Sequence, residues 1–280
     1  MLKVILIPEG TMVMAPNTIL YKAITFANKK ELIVSTPEND VVNINTSDCI
    51  VISKKMDELL QCLQYQVACA IMGDVNSLSQ QSKELAHLTL INHIVEMDEQ
   101  CFYELYQRFH HLPVTITTTN RLELRELTLS DFDRLYQLYQ QPSHKKYLEP
   151  MTDYEQEYQK FAAYVSTFYS FHHFGLWGIF LRSSGQMIGR CGFMPTEYKK
   201  HHVLELSYHI DESFTGLGLA TEAVLAAIEY ARDYQGIVEF YVRIAQGNNA
   251  SIALATRIGM KLVDEKKKGM NECLWFQYHG

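Results

Sequence analysis

Short apolar runs alternate with amphipathic stretches through the first 111 residues. VILI comes first, and ELIVST, CIVIS (49–53), VACAIMG (67–73) and LTLINHIV (88–95) follow as strand candidates. Between them, MDELLQCLQYQ (56–66) and DEQCFYELYQRFHH (98–111) carry apolar residues at helical spacing, and TILYKAITFANKK (18–30) is read as a further helix. Compact apolar strands separated by amphipathic helices predict a parallel sheet buried on both faces. The expected fold of this part is a small Rossmann-like α/β domain.

The pattern breaks at LPVTITTTN (112–120), where Pro113 stops a helix and a Thr-rich stretch follows. Two domains are expected, 1–115 and 116–280. RLELREL (121–127) alternates as a strand, and Ser130, with Asp131 and Asp133 behind it, begins a helix as a variant capping box. A second helix is expected over 153–173. LWGIFL and MIGRCGF flank a hairpin turn at Ser183–Ser184–Gly185–Gln186. VLELSYHI (203–210), VEFYVRI (238–244) and ECLWFQY (272–278) are strands. TGLGLATEAVLAAIEYARDYQG and NNASIALATRIGM are helices, the latter ended by Gly259. The order β-α-α-β-β-β-α-β-α-β predicts an α+β domain with a mixed sheet.

Composition narrows the function classes. Hydrophobic residues make up 47% and charged residues 20%, enough for a packed core. The net charge of −7 disfavours nucleic acid as a partner. No apolar run is long enough for a membrane span, and the first residues read as a strand, so a cytosolic protein is expected. The six cysteines form no CxxC pair and read as reduced structural thiols, with no metal site indicated. Residues 1–115 carry 8 Lys and Arg against 13 Asp and Glu, a balance of −5, leaving −2 for the remainder. That first part has neither GxGxxG nor a Walker A pattern. Asp48, Asp57, Asp74 and Asp98 read as caps and turn residues. His110 and His111 close a helix, where a cation would offset its dipole. Lys266, Lys267 and Lys268 read as a solvated turn.

Chemistry concentrates in LELSYHIDESFTGLGLATEA. Gly216 and Gly218 open a helix, so the N–H groups of about 216–221 can converge on an anion such as a pyrophosphate. This stretch resembles the GCN5-related N-acetyltransferase family, most closely the ribosomal-protein alanine acetyltransferases. The family's Gln/Arg-x-x-Gly-x-Gly/Ala signature falls on Thr215-Gly-Leu-Gly218-Leu-Ala220. A second motif falls on Asn248-Asn-Ala-Ser251-Ile, running to Arg257-Ile-Gly259-Met260. RLELREL and MIGRCGF stand where the family has its first and third strands, so the resemblance covers about 121–278. Two positions depart from it. Thr215 replaces Gln/Arg, and Ala255 stands where many members carry a Tyr that protonates the departing thiolate.

The resemblance implies direct attack of an amine on acetyl-CoA, which serves as co-substrate. It implies that backbone groups of Tyr208, His209 and Ile210 hold the pantetheine arm and polarise the acetyl carbonyl. Thr215, Gly216, Leu217, Gly218, Leu219, Ala220 and Thr221 would hold the phosphates, and Asn248 and Ser251 would add contacts. The amine must lose a proton before it attacks. Glu205, a carboxylate in an apolar strand, is the first candidate base and His209 the second; alternation puts Glu205, Ser207 and His209 on one face. Tyr136, Tyr139, Tyr147, Tyr154, Tyr158, Tyr164 and Tyr169 lie where the family roofs its acceptor site. Glu149, Glu155 and Glu157 could attract a cationic amine, although a solvated face is the plainer reading. The expected function is N-acetyl transfer to a protein N-terminus or a small amine. The alternatives are a non-catalytic acyl-CoA sensor, with the first domain as a partner-binding module, and a bifunctional enzyme. A homodimer through strand edges is compatible with either.

Overall fold

Parallel pairing of the apolar runs organises the N-terminal part of the computed structural model. The structure describes residues 1–11, 15, 17–27, 29–73, 88–91, 94, 97–148, 150–266 and 272–280. Asp74, Glu149, Lys267, Lys268 and part of the 88–95 run therefore lie outside the described residues. The chain divides into two compact units, Met1–Val114 and Thr115–Gly280.

In the first unit, strands β1 (Val4–Pro8), β2 (Thr18–Tyr21), β6 (Cys49–Ser53), β7 (Ala68–Met72) and β8 (Leu90–Ile91) form one sheet. Its order is β2-β1-β6-β7-β8, and every neighbouring pair is parallel. Side-chain alternation splits its residues between two cores. Leu6, Val51 and Cys69 pack with Leu59 and Cys62 of helix α1 (Met56–Tyr65). Ile5, Ile50, Ile52 and Ala70 pack with Phe102 and Leu105 of helix α2 (Glu99–Phe109). Burial on both faces explains why these strands read as unbroken apolar runs.

The helix expected over 18–30 is absent. Its residues form β2 and then β3 (Ala23–Phe26), which joins β4 (Glu31–Ser35) and β5 (Val41–Asn45) in an antiparallel three-stranded sheet. β-branched and aromatic residues dominate TILY and AITF, and strand partners stabilise them beyond any helical spacing. Asp98 caps α2 by accepting from the Cys101 amide at 2.9 Å, and Asp57 lies in the first turn of α1. Asp48 pairs with Lys3 at 2.7 Å. His110 does not act as a cationic cap. It packs between Tyr106 and Phe109, and burial lowers its pKa, which favours the neutral ring. All six cysteines are free, and Cys101 alone among them is not fully buried.

The second unit holds one eight-stranded sheet, built from β9 (Thr115–Thr118), β10 (Leu122–Arg125), β11 (Leu176–Leu181), β12 (Met187–Tyr198), β13 (His201–Ile210), β14 (Glu239–Ala245), β15 (Lys261–Lys266) and β16 (Cys273–His279). The order is β15-β16-β14-β13-β12-β11-β10-β9. β13 and β14 are the parallel pair, and the other neighbours are antiparallel. This is the mixed sheet flanked by helices that the element order predicts. Strands β9 and β15 go beyond that order. Both are polar edge strands whose pairing comes from β10 and β16.

Helices α3 (Phe132–Gln140), α4 (Pro142–Tyr147), α5 (Tyr154–His172), α6 (Leu219–Gln235) and α7 (Asn249–Arg257) complete the unit. The capping box before α3 uses Thr128 and Asp131, not Ser130, because a 3-10 turn (Leu129–Asp131) precedes the helix. Phe132, Leu135 and Leu138 of α3 and Phe161 of α5 pack with Phe180 and Met187 on one sheet face. Trp177 lies on the other face, edge-on to Tyr230 of α6. Glu155 accepts from Gln159 and Glu157 pairs with Lys160, as expected for a solvated helix face.

Candidate active site

β13 is fully paired with β12 from Ile210↔Gly189 to His201↔Tyr198. On its other side it meets β14 at Glu205↔Tyr241 and then diverges. The Asp211 amide donates to Ile188 at 2.7 Å, which fixes the alternation beyond it. Backbone groups of His209 and Ser207 therefore face β12, and those of Tyr208 and Ile210 face the open edge. A sheet edge with free N–H and C=O groups can pair with an extended amide-bearing ligand.

That edge opens on a cavity of about 470 Å³. Of the sequence-predicted residues, Tyr208, His209, Ile210, Thr215, Gly216, Gly218, Leu219, Ala220, Thr221, Asn248 and Ser251 line it together. Glu205 and Leu217 are not in the lining. The sequence reading gave no role to Ser143, His144 or Arg257, which also line it. Tyr147 does too, and its hydroxyl donates to the Gly247 carbonyl at 3.2 Å.

The phosphate-like end is built by two left-handed glycines. Gly216 and Gly218 both have φ of 77°, and Gly218 is the N-cap of α6. A Cβ on Gly216 would meet nothing within 4 Å, and one on Gly218 would meet Arg121 Nη2 at 3.8 Å. The first bond back into the helix runs from Glu222 N to Gly218 O at 3.1 Å. Amides of Leu219, Ala220 and Thr221 therefore lack intrahelical acceptors, and they carry the positive end of the helix dipole. Arg121 braces this turn: its Nε donates to Glu222 at 2.7 Å and its Nη1 to the Leu217 carbonyl at 3.0 Å. Arg257 adds a cation, with Nη1 3.4 Å from the Thr221 hydroxyl. Open amides, absent Cβ atoms and a guanidinium fit a pyrophosphate.

The expected side-chain donors are partly engaged elsewhere. The Thr215 hydroxyl donates to Glu212 O at 2.8 Å. The Asn248 side-chain oxygen caps α7 by accepting from the Ser251 amide at 3.2 Å. Tyr208 donates its hydroxyl to the Ser251 carbonyl at 3.1 Å, and burial pushes its pKa up to about 12. Ala255 is fully buried one turn beyond Ser251.

The two candidate bases differ sharply. Burial raises the pKa of Glu205, while Arg243, with Nε 3.6 Å from its carboxylate, and a hydrogen bond from Thr196 oppose that rise. His209 is 8% exposed, and its Nε2 has no hydrogen-bond partner among the described residues. Burial, then the nearby Arg190 and His144, holds its pKa well below the ordinary histidine value. His209 is thus a neutral imidazole on the cavity wall at pH 7.

A family model described as an acetyltransferase (GNAT) domain matches residues 121–261, half of the chain. The uncharacterized protein YkkB of Bacillus subtilis is 32% identical over 85 residues, 30% of this chain and 49% of YkkB, so the match spans about half of that relative. The ribosomal protein uS5-alanine N-acetyltransferase of Escherichia coli is 29% identical over 156 residues, 54% of this chain and 80% of that enzyme. Among solved structures, the ribosomal L7/L12 α-N-protein acetyltransferase RimL in complex with coenzyme A has a similar fold, with a TM-score of 0.50 and 21% identity. That likeness covers 59% of this chain and 98% of RimL. No helix among the described residues is long and apolar enough to cross a membrane. On the family match, the chain belongs to the GNAT acetyltransferases, enzymes whose acetyl donor is acetyl-CoA.

Proposed function

We propose that this chain acetylates a primary amine, either the N-terminus of a protein or a small amine. The observation that carries this reading is the meeting, in one cavity, of the free β13 edge and the amide-rich start of α6. Bound acetyl-CoA would supply an electrophilic thioester carbonyl. The turn at Gly216 and Gly218, with Arg257, would hold its phosphates. Backbone groups of Tyr208 and Ile210 would pair with the pantetheine amides and orient the acetyl group.

His209 is the better-placed proton acceptor. It lines the cavity, whereas Glu205 is engaged by Arg243 and Thr196 outside the lining. A neutral imidazole can accept the proton of an incoming ammonium at pH 7. The thiolate has no tyrosine at position 255 to protonate it. A CoA thiol is acidic enough to leave without one.

The test is release of CoA thiol with a decapeptide starting in alanine, a decapeptide starting in serine, and spermidine. The alanine-enzyme relative puts the first peptide foremost. Turnover with at least one acceptor, with the product carrying one acetyl group, is expected. Tight CoA binding with no turnover on any of them would reject the enzyme reading and leave the acyl-CoA sensor.

A further inference from the structure

A second histidine lies against the first. His144 of α4 is 5% exposed, and its ring stands edge-on to that of His209, with centroids 4.9 Å apart and planes at 85°. On its other side His209 meets Tyr139 of α3 in the same way, at 4.9 Å and 84°. Two rings from two helices thus hold one imidazole. Arg190 of β12 closes the cluster by bonding the Tyr139 hydroxyl. His144 lines the cavity along with His209.

The segment carrying His144 is itself anchored. The Ser143 amide donates to the Glu212 carboxylate at 2.5 Å, and the Glu212 amide donates to Gln141 at 3.1 Å. The Ser143 hydroxyl lies 3.3 Å from His144 Nδ1. A six-residue helix has little stability of its own. These bonds tie α4 to the loop that follows β13, so His144 and His209 are held from one frame.

We propose that His144 is a positioning residue, which clamps the His209 ring against Tyr139 at the cavity wall, where the ring receives the proton of the acceptor amine. This rests on the acetyl-transfer reading of the cavity. In the step, the ammonium N–H bond breaks and an imidazolium N–H bond forms. The freed amine lone pair is then available for attack, and nothing is oxidised or reduced. The charged and titratable groups facing His209 are Arg190, His144 and Tyr139. Those facing His144 are His209, Asp211 and Glu212. Arg190 and His144 both disfavour a lasting imidazolium, so the proton passes to the departing CoA thiolate, which becomes the thiol, and the base is restored.

The experiment compares wild type, His144→Ala and His144→Phe. It measures turnover with the three acceptors above, KM for acetyl-CoA, and the pH titration of His209 by imidazole nitrogen NMR without any ligand. His144→Ala loosens the clamp and should lower kcat by about tenfold or more, with KM for acetyl-CoA unchanged. His144→Phe keeps an aromatic edge and should recover most of that rate. Because it removes a titratable neighbour whose charge lowers the His209 pKa, the His209 titration and the acid limb of the rate profile should both move upward. Unchanged kcat in His144→Ala, or a His209 titration that does not move in His144→Phe, would overturn the proposal. Absence of turnover in wild type would reject the acetyl-transfer reading instead, and the NMR titration would still decide whether His144 governs His209.

Discussion

Gly218→Ala separates a backbone effect from a ligand effect, because the same helix supplies its own control. Gly218 caps the start of α6 at φ 77° and ψ 1°, and Gly236 ends it at φ 64° and ψ 20°. Both sit in the left-handed region, where an alanine costs about 1 kcal/mol. Each substitution should therefore lower Tm by about 2–4 °C for a unit of this size. Neither new methyl clashes with protein: Gly236 has nothing within 4 Å, and Gly218 has Arg121 Nη2 at 3.8 Å. The methyl at 218 would stand where a phosphate must approach the open amides. Losing one charge-assisted hydrogen bond there costs about 2 kcal/mol, or about 30-fold in Kd. Calorimetric titration with CoA should show that loss for Gly218→Ala and wild-type affinity for Gly236→Ala, with similar Tm shifts. Equal affinities in the two variants would refute the placement of the phosphates at this turn.

Further outcomes follow from the same geometry. Arg121→Ala removes the brace on the glycine turn and should raise KM for acetyl-CoA several-fold with kcat nearly unchanged. Its stability cost should stay below about 1 kcal/mol, because the Arg121–Glu222 pair is half exposed on the arginine side. His209→Phe should reduce kcat by about 100-fold with CoA affinity intact, whereas Glu205→Gln should leave more activity; steady-state kinetics with the best acceptor checks both. Burial pushes the Asp211 carboxyl up, but hydrogen bonds from Ser213, Arg134 and Gln141 outweigh it and hold its pKa below the ordinary value. Its stabilisation is therefore present above the unfolded-state pKa near 4 and disappears as pH falls through the lower folded value. Urea unfolding at pH 7 and at pH 3 should show a smaller difference in Asp211→Asn than in wild type.

How much of this was legible in the sequence depends on whether a local rule decided each element. VILI, CIVIS and ACAIM announce buried parallel strands, because burial on both faces demands unbroken apolar residues. TILYKAITF misleads, since its apolar spacing also fits a helix and its strand partners lie elsewhere in the chain. TITT of β9 reads as a linker, and its pairing with β10 is a tertiary fact. The glycine turn was legible because glycine enters the left-handed region with no Cβ penalty. His144 carried no signal at all. It is one histidine in a short polar helix, and only the fold brings it against His209. The separation of Glu205 from the cavity was equally invisible, since alternation puts Glu205 and His209 on the same face and says nothing about the cavity or Arg243.

Where acetyl-CoA sits is tested most directly by an amide NMR titration of the labelled chain with CoA. The predicted result is a set of saturable shifts centred on Tyr208, Ile210 and residues 216–221, with Asn248, Ser251 and Arg257 following. Shifts centred instead in Met1–Val114, or none near the start of α6, would contradict it.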